Sequence, residues 1–181
     1  TRDINSLPLI KTLMDQLNAV FPRILRTYSL PASSAVFNHC IFTVYEDGKD
    51  FIGFHSDKER DFVSDSYFVV LKLGAARLFQ FALPLQDKTQ KPVPFLSLET
   101  KAGTLLIVRA KSSIGKAANA QVTHGVPALA RSCGRSGSLV FRAIATRVPW
   151  EQVHKNVAMS KTAQARRQAE KAIKKRKKNK A

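Results

Sequence analysis

Between Leu7 and Val20 the apolar residues Leu9, Ile10, Leu13, Leu17 and Val20 recur every three or four positions. That spacing stacks them along one face of a helix. Ser6 precedes the run as the expected N-cap, and Pro22 is its expected stop. After YSLPASS the pattern changes. Val36–Tyr45, Tyr67–Leu73, Arg77–Leu83, Thr104–Arg109 and Ser138–Thr146 are short runs rich in Phe, Val, Ile and Leu, and each reads as a strand. Turn-forming residues separate them: EDGKD, the Leu73-Gly74-Ala75 step, the Pro-rich QKPVP, and CGRSG. No internal repeat interrupts the order. One helix followed by many short strands predicts a mostly β, α+β protein, a β-sandwich or jelly roll with helical support on one face.

Composition narrows the class. A chain of 181 residues, 44% hydrophobic with eleven Phe, is long and apolar enough for one domain with a real core. No apolar run approaches the roughly 18 to 20 residues a membrane span needs, and no secretory signal opens the chain. It begins with Thr rather than Met, as in a fragment or a processed chain. Cys40 and Cys133 are the only cysteines, too few for a disulfide framework, so an intracellular, reduced protein is expected.

Charge changes the picture more. The net charge is +17, and residues 151–181 hold eleven Lys or Arg against two Glu, leaving +8 for the rest. Seven of the thirteen acids fall between Glu46 and Asp65, so the remainder of the body is strongly basic and suits a polyanionic partner such as DNA or RNA. From Met159 onward no aromatic residue occurs. The division expected is a domain over 1–150 and a helical or disordered basic tail over 151–181. Its KKRKK reads either as a nucleic-acid arm or nuclear-localisation patch, or as a solubilising end.

The candidate chemistry sits beside the acidic cluster. In FIGFHSDKE, His55 and Asp57 are two apart, so on a strand both side chains leave the same face and could grip one metal ion. Three histidines remain. His39 and His154 read as structural or surface residues. His124, in QVTHGVP, lies where a jelly roll would bring the chain back toward the first pair. Two histidines and one carboxylate make the facial triad of non-heme Fe(II) oxygenases, which leaves positions open for a chelating cosubstrate and dioxygen.

At this point the chain resembles a known family. FNHCIFTVYEDGKDFIGFHSDKE is similar to the signature region of AlkB-like Fe(II)/2-oxoglutarate dioxygenases. LKLGAARLFQF, KAGTLLIV, THGVP and SLVFRAI resemble later segments of that family in the same order, across residues 7–144. The resemblance implies a double-stranded β-helix, or jelly roll, binding Fe(II) through His55, Asp57 and His124. It also implies 2-oxoglutarate and dioxygen as cosubstrates, with Thr43, Tyr45, Ser138 and Arg142 at the cosubstrate positions. Glu59 matches an acidic position that contacts the damaged base in some members. The implied reaction is oxidative demethylation of N-alkylated bases in DNA or RNA, yielding succinate and formaldehyde. The protein is expected to be a monomer.

Several family positions differ. Where the family has R-x-N-x-T-x-R, this chain has Ser136, Ser138, Val140 and Arg142, and Thr43 replaces a family asparagine. One cosubstrate charge is thereby missing. Arg135 is one position off register, which on a regular strand sends it to the opposite face; glycines at 134 and 137 permit a bulge that would re-aim it. Arg131 and Lys72 are the other candidate replacements. The short segment before Leu7 predicts a truncated nucleotide-recognition lid. Two alternatives therefore stand beside nucleic-acid demethylation: a dioxygenase acting on a protein side chain, and a catalytically degenerate nucleic-acid-binding module.

Overall fold

The computed structural model describes residues 6–85, 89–130 and 133–145. The basic tail, its KKRKK, His154, Arg131 and Thr146 lie outside the described residues.

Helix α1 spans Pro8–Thr27. Its N-cap is Leu7, which makes no side-chain capping bond, and Pro8 occupies the first turn, where a missing N–H removes nothing from the helix ladder. The expected cap at Ser6 is therefore displaced by one residue. The helix also runs through Pro22 instead of stopping before it. An interior proline costs about 3 kcal/mol. Phe21 and Leu25, on either side of it, are almost completely buried against the sheet. Each such side chain contributes about 1.5–3 kcal/mol, enough together to outweigh the proline.

Eight strands follow: β1 His39–Tyr45, β2 Ile52–His55, β3 Tyr67–Gly74, β4 Arg77–Ala82, β5 Pro94–Thr100, β6 Leu105–Arg109, β7 Thr123–Val126 and β8 Ser136–Arg142. A single turn of helix, α2, covers Ala118–Gln121. The strands form two four-stranded antiparallel sheets, ordered β1-β8-β3-β6 and β2-β7-β4-β5. Strand 1 thus pairs with 8, 2 with 7, 3 with 6 and 4 with 5. The mostly β, α+β class expected from the sequence is what forms.

Alternation decides which residues face inward. On β3, Tyr67 and Val69 pack with Met14, Leu17, Phe21 and Leu25 of α1, while Phe68 and Val70 face the other way, toward Phe62, Val108 and Phe81. Both faces of β3 are covered, which explains its unbroken apolar run. The second inner cluster joins Tyr45, Phe79 and Val126 across the space between the sheets. Sheet one is thus a wall with α1 behind it and a lined interior in front. No helix among the described residues is long and apolar enough to cross a membrane.

Candidate metal centre

The site is built where β2 runs beside β7. The register places His55 directly opposite His124, and their rings lie 4.4 Å apart between centroids. Directly opposed residues of an antiparallel pair project from the same face. An extra residue in β2 between Ile52 and His55 shifts the ladder there and re-aims the end of the strand. The neighbouring Gly125 permits the approach, because a Cβ there would sit 2.8 Å from the Ile52 carbonyl oxygen.

Asp57 comes in differently from the same-face strand geometry expected. Strand β2 ends at His55, so no ladder holds Asp57. Asn119 of α2 holds it instead. The Asp57 amide donates to Asn119 Oδ1 at 3.0 Å, and Asn119 Nδ2 donates to the Asp57 carbonyl at 2.9 Å. Asn119 is fully buried, so this paired clamp stands in for the missing sheet partner. One ligand atom each from His55, Asp57 and His124 lies within 4.8 Å of the others, a set able to hold one metal ion.

The surroundings suit a divalent cation. His55 Nδ1 lies 2.9 Å from the Gly53 carbonyl. A carbonyl only accepts, so that nitrogen carries the proton and Nε2 keeps its lone pair for a metal. His124 is packed among Phe68, Phe79 and Phe81, with Phe79 stacked at 5.6 Å. Burial pushes its pKa down to about 4, His55 adds to the effect, and Asp57 opposes it. The imidazole is consequently neutral at physiological pH, the form that coordinates metals. Its Nδ1 is buried with no hydrogen-bond partner. On the far side of Asp57, Arg142 Nη1 approaches Oδ2 at 3.4 Å, and Arg142 Nη2 approaches His39 Nδ1 at 3.4 Å.

The three residues open onto a cavity of about 100 Å³ between the sheets. That is several times the space a single water requires. Thr43, Tyr45 and Ser138 line the opposite wall with Val70 and Val140. The structure therefore gathers Thr43, Tyr45 and Ser138 around the same space as His55, Asp57 and His124. Arg142 stands behind Asp57 rather than in the cavity lining. Glu59 sits in a 3-10 turn, Glu59–Asp61, half-buried, and is not among the cavity-lining residues. Arg135 is exposed and pairs with Glu46 at 2.6 Å, so the off-register arginine does point away and no bulge turns it inward.

Sequence reasoning missed Asn119. In KAANAQ it looks like a surface polar residue, and only the fold reveals its clamp on Asp57. The chain matches no protein-family model and no curated protein.

Proposed function

We propose that this protein is an Fe(II)- and 2-oxoglutarate-dependent dioxygenase on a jelly-roll scaffold, oxidatively demethylating N-alkylated bases of DNA or RNA. The observation that carries the reading is the convergence of His55, Asp57 and His124, remote in sequence, at one edge of a lined cavity. The jelly-roll reading is supported by the pairing of strand 1 with 8, 2 with 7, 3 with 6 and 4 with 5. Two imidazoles and a carboxylate are a donor set that fits ferrous iron.

His55, Asp57 and His124 would hold the iron, which with 2-oxoglutarate would supply a dioxygen-derived oxidant able to hydroxylate the methyl group, the second oxygen atom ending in succinate and carbon dioxide leaving. The resulting hydroxymethyl group then departs as formaldehyde, its carbon–nitrogen bond breaking and the base nitrogen recovering its proton or electron pair. The protein's own residues have distinct tasks. Asn119 fixes the backbone of Asp57, and Arg142 holds its carboxylate. Phe68, Phe79 and Phe81 keep water from His124 and its charge at zero. Tyr45 and Ser138 offer hydroxyls to the cosubstrate from the facing wall. The basic body attracts phosphates without reading sequence, while an unstacked base reaches the cavity.

Incubation with Fe(II), 2-oxoglutarate and methylated oligonucleotides should release succinate and formaldehyde in equal amounts. His55→Ala should abolish both, and undiminished turnover by that variant would refute the assignment. Parallel reactions on methylated peptides test the protein-directed alternative. Binding of oligonucleotide that survives metal removal, with no consumption of 2-oxoglutarate, would favour the degenerate module.

A further inference from the structure

The interior holds a second polar group that none of the roles above uses. Lys72 lies on β3 between Leu71 and Leu73, is 1% exposed, and its Nζ has no hydrogen-bond partner. A buried ammonium is almost always paired, because leaving it unpaired forfeits its hydration with nothing in return. Among the described residues no carboxylate forms an ion pair with it. The nearest charge acting on it is another cation, Arg77.

Strand register shows where Lys72 stands. It is directly opposite Ser138 of β8, and Ser138 lines the cavity, so the lysine projects from the cavity-facing side of the sheet. Its Nζ lies 5.5 Å from the centre of the Tyr45 ring. Two residues along β8 from Ser138 is Ser136, opposite Tyr45 on one side and Gly74 on the other. The Ser136 hydroxyl is also buried and without a partner. One end of the inner face therefore carries an unpaired cation and an unpaired hydroxyl, next to a phenol ring.

Arg77 cannot fill the same role. Its guanidinium donates to the carbonyls of Asp47 at 3.0 Å, Asp50 at 2.6 Å and Pro127 at 2.9 Å. That is a structural brace for the loop after β1, although its charge adds to the positive potential around Tyr45. Arg142 stands at the opposite end, four positions from Ser138 along β8 and engaged with Asp57. Four strand residues span about 13 Å. An elongated ligand held at the Asp57 end by a metal would extend toward Lys72.

We propose that Lys72, with the Ser136 hydroxyl, is the receptor for the distal carboxylate of 2-oxoglutarate, supplying from β3 the charge that β8 lacks at position 136. The inference rests on the cosubstrate reading above and deepens it. The ion pair would neutralise the buried ammonium, and Ser136 would donate to the second carboxylate oxygen. A dicarboxylate is thereby preferred over a 2-oxo acid of equal length with an uncharged end.

Calorimetric titration of the protein loaded with Mn(II), which does not turn over, tests this. The probes are 2-oxoglutarate and 2-oxopentanoate, which has the same carbon skeleton without the distal carboxylate. The unmodified protein should bind 2-oxoglutarate at least tenfold tighter, and equal affinities would overturn the proposal without any variant. Lys72→Met should weaken 2-oxoglutarate by roughly 30- to 100-fold, leave 2-oxopentanoate unchanged, and keep Mn(II) affinity. Lys72→Arg should restore most of the discrimination. Retention of full 2-oxoglutarate affinity by Lys72→Met would reject Lys72 while leaving the dioxygenase reading intact. Failure of the unmodified, metal-loaded protein to bind 2-oxoglutarate at all would reject both.

Discussion

A lone cation between two leucines has a thermodynamic consequence as well as a functional one. Burial lowers the pKa of Lys72 from 10.5 to about 8, with the nearby Arg77 charge adding to the effect. Below pH 8 the ammonium is charged in both folded and unfolded chains, and the folded state bears the full desolvation cost. Between about pH 8 and 10.5 the unfolded chain still binds the proton that the folded one has released, so stability rises with pH across that window. Lys72→Met should therefore stabilise the ligand-free protein at pH 7 by about 1–3 kcal/mol. The gain should shrink progressively above pH 8 and vanish near 10.5. Urea unfolding of both proteins at a series of pH values measures it, and a gain independent of pH would show that the ammonium is hydrated. The signal for this residue was visible in FVVLKLG, where a charge interrupts an apolar strand; its lack of a hydrogen-bond partner was not.

At the scale of elements, legibility divides between the two sheets. Strands β1, β3, β6 and β8 were all apparent, because their long apolar runs face α1, the cavity lining or both. From the second sheet only β4 was. Strands β2 and β7 are four residues each and carry His55, Gly53, His124 and Gly125 in place of alternating apolar residues. Chemistry displaced the hydrophobic pattern that would have announced them. Strand β5 opens at Pro94 and lies at a sheet edge, where proline is tolerated, so the Pro-rich segment read as a turn. The helix end was misplaced for a related reason, since tertiary burial of Phe21 and Leu25 overrides a local breaker. Asn119 shows how a short element contributes. Its turn of helix supplies the two backbone bonds that a longer β2 would have provided at Asp57. Asn119→Ala should leave the fold intact but weaken metal binding about 10- to 100-fold, the range for residues that orient metal ligands. Equilibrium dialysis with Mn(II), alongside far-ultraviolet circular dichroism, checks both halves. Unchanged affinity would mean that the loop holds Asp57 without the clamp.

For the whole molecule, the pairing of β2 with β7 explains why residues 55, 57 and 124 meet although 67 positions separate Asp57 from His124. Pairing of the second strand with the seventh makes the two histidines neighbours, and the first sheet provides the wall facing them. His55 and Asp57 were legible as a pair because H-x-D sets two ligating side chains close together in sequence, and the structure brings His124 beside them. The way each is held was not, since it depends on a bulge, a glycine and an asparagine from three separate places. Anaerobic titration of Fe(II)-loaded protein with 2-oxoglutarate, followed by visible absorption, tests the central claim directly. A metal-to-ligand charge-transfer band should appear, saturate at one equivalent and be absent from His124→Ala. A spectrum unchanged by 2-oxoglutarate, or a band that persists at full strength in that variant, would contradict it.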